Sequence, residues 1–213
     1  MEKFYNREIA GRMLAKQLKH FANQPNTLIL ALPRGGVPVA YEIAKELSLP
    51  FDLLIVRKLG VPHNSELAMG AIAIEDTVVL NKDIIQDLKI SKATLMEVIA
   101  SEKNELNRRN IQYRSNASFP LLLNKTIILV DDGIATGATI RAAIAAVRQK
   151  KPDKIILAIP VAEKSIYEKL KPLVDEIICP LTPESLYAVG VWYEYFPQIT
   201  DDEVIQLLKK NRV

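Results

Sequence analysis

The stretch Ile127-Ile128-Leu129-Val130-Asp131-Asp132-Gly133-Ile134-Ala135-Thr136-Gly137-Ala138-Thr139 decides how this chain folds. A β-type apolar run ends in two adjacent carboxylates. A loop of small and hydroxyl residues follows, and Ile140, Ala143, Ile144 and Val147 then recur at helical spacing. Strand, loop and helix in that order build an anion site. The first N–H groups of a helix have no internal acceptor and sit at the positive end of its dipole. Gly137 lets the backbone approach a ligand closely, Thr136 and Thr139 add hydroxyls, and Gly133, Ala135 and Ala138 complete the small-residue loop. The two carboxylates cannot receive phosphate, because like charges repel. They suit hydroxyls, a metal ion or both, and a sugar phosphate with Mg²⁺ satisfies both halves. The plain alternative is a strand-turn-helix whose Asp pair is only solvated; order, spacing and residue type together argue against it.

On either side, apolar runs alternate with helical patterns. Residues 6–22 form an amphipathic pattern with Ile9, Met13, Leu14, Leu18 and Phe21 on one side. Residues 27–32 read as a buried strand, 37–47 as a helix and 51–56 as a second strand. Ala71–Ile74 and Val78–Leu80 suggest a hairpin around Glu75-Asp76. A short helix is expected at 83–88 and a long one from Ser91 to about Tyr113. The polar second half of that helix, 101–114, is expected to project into solvent or to touch a partner or ligand. A loop is expected at 116–124. Strands at 154–159 and 176–179 flank a helix at 163–170. Thr200-Asp201-Asp202-Glu203 is a capping box that opens a last helix, with Val204, Leu207 and Leu208 inward. The alternation gives an α/β fold, three layers with a mostly parallel sheet, in one domain over 1–213 with a small appendage. Ligands then bind at the carboxyl ends of the strands.

Two further polar groups are expected on that rim. Pro33-Arg34-Gly35-Gly36 follows the first strand; its glycines free the backbone to turn N–H groups inward, and Arg34 adds a fixed cation, which suits a pyrophosphate. Arg57-Lys58 follows the second strand and would neutralise an anionic leaving group. The usual fate of such residues is solvation. The segment 59–70 is rich in turn residues and reads as a mobile loop in which His63 and Glu66 are weaker ligand candidates. Val191-Trp192-Tyr193-Glu194-Tyr195-Phe196 offers aromatic faces that could stack on a planar base. Trp192 and Tyr193 are the best candidates there, although aromatic residues more often cover a core.

The net charge of +3 is too mild to argue for a nucleic-acid partner. No apolar run approaches a membrane span, and the N-terminus lacks the apolar core of a signal peptide, so a cytoplasmic location is expected. The single cysteine, Cys179, excludes an internal disulfide framework; it lies in an apolar run and reads as a structural thiol. His20 and His63 show no metal-ligand spacing.

The signature at 127–139 resembles the phosphoribosyl-diphosphate-binding signature of type I phosphoribosyltransferases: an apolar strand, two acids, a small-residue loop, Thr-Gly, one residue, Thr. The resemblance covers nearly the whole chain and is closest to bacterial and archaeal members whose acceptor is not established. It implies Asp131 and Asp132 on the ribose hydroxyls with Mg²⁺ nearby, and Ala135–Thr139 around the 5-phosphate. It places Arg34, Gly35, Gly36, Arg57 and Lys58 around the diphosphate, with a cis bond between Pro33 and Arg34. It also implies a loop near 59–70 that closes over the site. A hood for a nucleobase-like acceptor would come mainly from about 180–213 and from the N-terminus, and homodimers are common among similar proteins. The activity implied is ribosylation of a nitrogenous base with release of diphosphate. The main alternative is a sensor or regulator of the same fold without catalysis, and a hydrolase or phosphorylase is a third reading. One departure stands out: Ala135 occupies the place where hypoxanthine- and guanine-type enzymes carry an Asp that acts near the base.

Overall fold

The computed structural model describes residues 3–62, 64–73, 77–114 and 118–211, and the side chains of Ser65 and Glu66 lie outside the description. Five parallel strands form the central sheet: β1 (Thr27–Ala31), β2 (Phe51–Leu53), β6 (Thr126–Val130), β7 (Lys154–Ala158) and β8 (Glu176–Ile178), in the order β2-β1-β6-β7-β8. Three antiparallel strands, β3 (Val56–Val61), β4 (Asn64–Ala73) and β5 (Thr77–Leu80), form a separate small sheet. The helices are α1 (Arg7–Gln17), α2 (Gly36–Leu47), α3 (Lys82–Asp87), α4 (Lys92–Arg114), α5 (Ala138–Gln149), α6 (Lys164–Leu170) and α7 (Asp201–Asn211).

The three expected layers follow from the strand sequences. Side chains alternate across a strand, so a strand covered on both faces must be apolar throughout. Ile29, Ala31, Ile128, Val130, Ile156 and Ala158 join one core with α1, α2 and α7. Leu28, Leu30, Ile127, Leu129, Ile155 and Leu157 join a second core with α5 and α6. The capping box is present, with Thr200 N–H donating to Glu203 Oε2 at 2.7 Å and Glu203 N–H donating to Thr200 Oγ1 at 3.2 Å. Among the described residues, no helix is long and apolar enough to cross a membrane.

Three expectations need correction. The second strand ends at Leu53, and Arg57-Lys58 lie inside β3, paired across to Ile72 and Ala71 of β4. Residues 59–61 and 64–70 are therefore hairpin arms, with register irregularities around Gly60. Alternation of small and apolar residues was hidden there by Gly60, Pro62 and Gly70, which sit at the bulge, the turn and a close strand approach. The hairpin expected around Glu75-Asp76 is the β4–β5 pair, although Ile74, Glu75 and Asp76 themselves lie outside the described residues. Finally, the polar half of α4 projects only in part: Ser101, Asn104, Asn107, Arg108 and Ile111 are exposed, but its end turns inward. Tyr113 and Arg114 are buried; Arg114 pairs with Asp52 of β2 at 2.9 Å, and Tyr113 donates to Asp201.

An edge contact shows how charge supports the sheet. Asp175, just before β8, accepts from Ile155 N–H at 2.8 Å and from Arg148 of α5 at 2.8 Å. Desolvation pushes its carboxyl up, but the Ile155 N–H and Arg148 outweigh it, so the group sits below the usual range. A depressed folded value contributes stability above the unfolded pKa, near 4, that is lost as pH falls through the folded value. Asp175→Asn is expected to lower stability at pH 7 by about 0.5–1.5 kcal/mol and to flatten the acid limb of a stability-versus-pH curve. Chemical denaturation from pH 7 to pH 3 measures both.

Candidate active site

Because β1 and β6 are neighbours in register, Ala31 opposite Val130, the loops leaving them meet. Leu32 N–H donates to Val130 O at 2.9 Å and starts the turn Pro33–Gly36, in which the Pro33–Arg34 peptide is cis as expected. The approach is close enough to demand glycine: a Cβ on Gly35 would run into the Asp132 carboxylate, and one on Gly36 would lie 2.6 Å from Val130 O. Two N–H groups of this turn are used within it. Gly36 N–H donates to Leu32 O and Val37 N–H to Arg34 O. The expectation that the glycines free the backbone to turn N–H groups inward is therefore limited by Gly36, whose own N–H is spent within the turn.

The signature loop opens α5. Gly137 caps the helix at φ 72°, a left-handed conformation that favours glycine. Asp131, Gly133, Ala135, Thr136, Gly137, Ala138 and Thr139 line a cavity of about 210 Å³, and Ala135, Thr136 and Thr139 are exposed. A second cavity, of about 510 Å³, is lined by Arg34, Gly35 and Asp132 on one side and by Val189, Phe196 and Ile199 on the other. The acidic pair borders both cavities, Asp131 the first and Asp132 the second.

Asp132 is held at three points. Its N–H donates to Asp131 Oδ1 at 2.9 Å, its carbonyl accepts from the Tyr193 hydroxyl at 2.6 Å, and its Oδ2 accepts from Arg7 Nε at 2.8 Å. Burial pushes both carboxyls up, Asp131 well above the usual range because Asp132 also lies beside it; Arg7 pulls the other way. Among the described residues, no group of three His, Cys, Asp or Glu side chains could cage a metal ion. Two adjacent carboxylates fit Mg²⁺ that keeps water and shares oxygens with a bound phosphate, which is this ion's usual habit.

The expected cations are placed unevenly. Arg34 reaches the second cavity and lies 3.8 Å from Asp201 at the start of α7. Arg57 Nε is bound to Glu102 of α4 at 2.7 Å, so α4 holds it in place of open solvent. Lys58 is half-buried on the same strand. Of the two aromatic candidates, Trp192 donates its indole N–H to Leu186 O, and Tyr193 is enclosed between Phe4 at 5.6 Å and Phe196 at 4.8 Å. The Tyr193 ring is thus closed to a planar ligand and serves Asp132 through its hydroxyl, while Phe196 lines the cavity. His63 and the Glu66 side chain lie outside the described residues. Cys179 Sγ lies 3.2 Å from Leu181 O, and burial pushes the thiol up to about 12, which keeps it protonated and inert.

The residue that sequence reasoning missed is Arg7. It is the first residue of α1, behind the Asn6 cap, and its side chain is 9% exposed. A cation in a first helical turn opposes the helix dipole, at a cost of about 0.3–1 kcal/mol. That local misfit was the signal, because such misfits collect where function needs them.

A model of the phosphoribosyl transferase domain matches residues 2–185. This chain belongs to that family. The family is one of glycosyltransferase-type enzymes that transfer a phosphoribosyl group. A Mycobacterium tuberculosis protein provisionally named a phosphoribosyl transferase is 41% identical over 210 residues, covering 99% of this chain and 47% of that protein. The chain thus spans about half the length of the curated relatives it matches. TT1426 from Thermus thermophilus superposes with a TM-score of 0.88 at 34% identity, over 98% of both chains. A hypoxanthine phosphoribosyltransferase from Staphylococcus aureus matches at a TM-score of 0.50 and 12% identity, over 84% of this chain and 73% of that one, a likeness of fold alone.

Proposed function

We propose that the protein binds phosphoribosyl diphosphate with Mg²⁺ and transfers its phosphoribosyl group to a nitrogenous base, releasing diphosphate. The observation that carries this reading is the position of the Asp131–Asp132 pair. It lies between a phosphate-sized cavity at a helix N-terminus and a larger, partly apolar cavity lined by Phe196. In this reading the loop Ala135–Thr139 holds the 5-phosphate, and Asp131 and Asp132 hold the ribose hydroxyls. Arg34 and the backbone of Gly35 and Gly36 face the diphosphate, with Arg57 and Lys58 contributing charge from β3. Asp131 and Asp132 would also hold Mg²⁺, which supplies charge neutralisation for the leaving group. The C1–O bond breaks with its electron pair leaving on diphosphate. The lone pair of the acceptor nitrogen forms the C1–N bond, and the proton of that nitrogen passes to the departing diphosphate or to water. Fixed donors and cations aimed at the departing charge account for the rate, with no covalent nucleophile required.

The acceptor would enter the cavity of Val189, Phe196 and Ile199. Arg7 of the N-terminal segment and Phe196–Ile199 border it, and the two segments are paired nearby. Phe4 N–H donates to Trp192 O, and Glu194 N–H donates to Phe4 O, both at 2.9 Å. We assign the hood to this paired region within a single domain. Ala135 offers no carboxylate to the base, so the acceptor is one that needs none at that position.

Calorimetry with phosphoribosyl diphosphate, with and without Mg²⁺, followed by a diphosphate-release assay across a panel of purines, pyrimidines and smaller nitrogen heterocycles, tests the reading. Mg²⁺-dependent binding and release with one acceptor class is expected. Tight binding without release for any acceptor would favour the sensor alternative.

A further inference from the structure

The contacts of Arg7 reach in three directions at once. Its Nε donates to Asp132 Oδ2 at 2.8 Å, its Nη1 donates to Pro197 O at 2.8 Å, and its guanidinium lies 3.6 Å over the Phe196 ring. A planar guanidinium can serve an acid, a carbonyl and an aromatic face together, which an ammonium cannot. Phe196 in turn stacks on Tyr193, and the Tyr193 hydroxyl holds the Asp132 carbonyl. The N-terminal segment, the 192–197 segment and the second acid are therefore one assembly.

We propose that Arg7 is a positioning residue for the acidic pair: it clamps Asp132 so that the pair meets the sugar in a fixed geometry, and it thereby couples donor binding to the docking of the N-terminal segment on residues 192–197. The clamp works by fixing one oxygen of each acid: Asp132 Oδ2 on Arg7 and Asp131 Oδ1 on the Asp132 N–H, with the two side chains also bonded to each other. Without Arg7, Asp132 can turn, and the two acids no longer present a defined pair. Arg7 lines the second cavity together with Arg34, but its Nε and Nη1 are committed to Asp132 and Pro197, so its effect on the donor passes through Asp132.

The inference rests on the phosphoribosyl diphosphate reading and is tested by a double-mutant cycle on binding. Affinity for Mg²⁺-phosphoribosyl diphosphate is measured by calorimetry for wild type, Arg7→Met, Asp132→Asn and the double variant, with folding checked by thermal scans. Arg7→Met is expected to lose roughly 10- to 100-fold, the worth of one hydrogen bond to a charged group. In the Asp132→Asn background the same change is expected to cost much less, because the amide oxygen still accepts from Arg7 but the charge that Arg7 answers is gone. Arg7→Lys keeps the charge but not the fork, and is expected to recover part of the affinity and none of the Phe196 contact. Equal losses in both backgrounds, or no loss in a folded Arg7→Met, would overturn the clamp alone. Wild-type protein that binds no phosphoribosyl diphosphate would overturn both the clamp and the reading beneath it.

Discussion

Replacing Asp131 and Asp132 together by asparagine is expected to weaken Mg²⁺-phosphoribosyl diphosphate binding roughly 10²- to 10⁴-fold, since two hydrogen bonds to charged groups at about 1.5–3 kcal/mol each are lost. Calorimetry on the folded variant measures it, and an affinity within threefold of wild type would remove these residues from the site. The same variant is expected to melt at a higher temperature than wild type in the absence of ligand. Two adjacent carboxylates, both pushed up by burial and Asp131 also by Asp132, are a standing cost of the folded state that Arg7 offsets in part. Asparagine keeps an oxygen for the Asp132 N–H and removes the repulsion. A gain in melting temperature together with a loss of binding is the signature of a site that trades stability for function. A loss of both would mean that the pair serves the fold.

The signature stretch was legible because everything it needs is local. A strand, two acids, a left-handed glycine and a helix start occur within thirteen residues, and no distant contact changes them. Thr200–Glu203 was legible for the same reason. Pro33–Gly36 was legible as a turn, but where its N–H groups point was settled by the neighbouring strands. Arg57, Tyr193 and Arg7 were not legible in their roles. Their partners Glu102, Asp132 and Phe196 lie 45, 61 and 189 residues away, beyond the reach of any spacing rule. The hairpin arms at 59–61 and 64–70 were misread because turn residues inside a bulged strand look like a loop. The cavity of Val189, Phe196 and Ile199 is built entirely from such distant contacts. The half of the candidate site built on residues 127–139 could therefore be read from the chain, whereas the half around Phe196 needed the fold.

Arg114 carries the second large effect. Arg114→Met is expected to lower the unfolding free energy by about 3–5 kcal/mol, the usual result of removing one partner from a buried ion pair. At about 2–4 °C per kcal/mol for a chain of this size, the melting temperature should fall by roughly 6–20 °C. The guanidinium is 2% exposed at the last turn of α4. It bonds Asp52 Oδ1, Asn110 Oδ1 at 2.8 Å and Leu53 O, and stands 5.0 Å from the centre of the Phe119 ring. These contacts pin α4 to β2 at the edge of the central sheet, and α4 also holds Glu102 against Arg57 and Tyr113 against Asp201. Methionine fills the stem's volume but leaves Asp52 and the Leu53 carbonyl without their donor. Adding Asp52→Asn should recover part of the loss, because it removes the orphaned charge and still accepts from the Leu53 N–H. Urea unfolding with an unchanged slope would assign the effect to the native state. A loss below about 1 kcal/mol would show that α4 is held by its apolar face alone, and that the cations of β3 and of the Pro33 turn do not depend on this anchor.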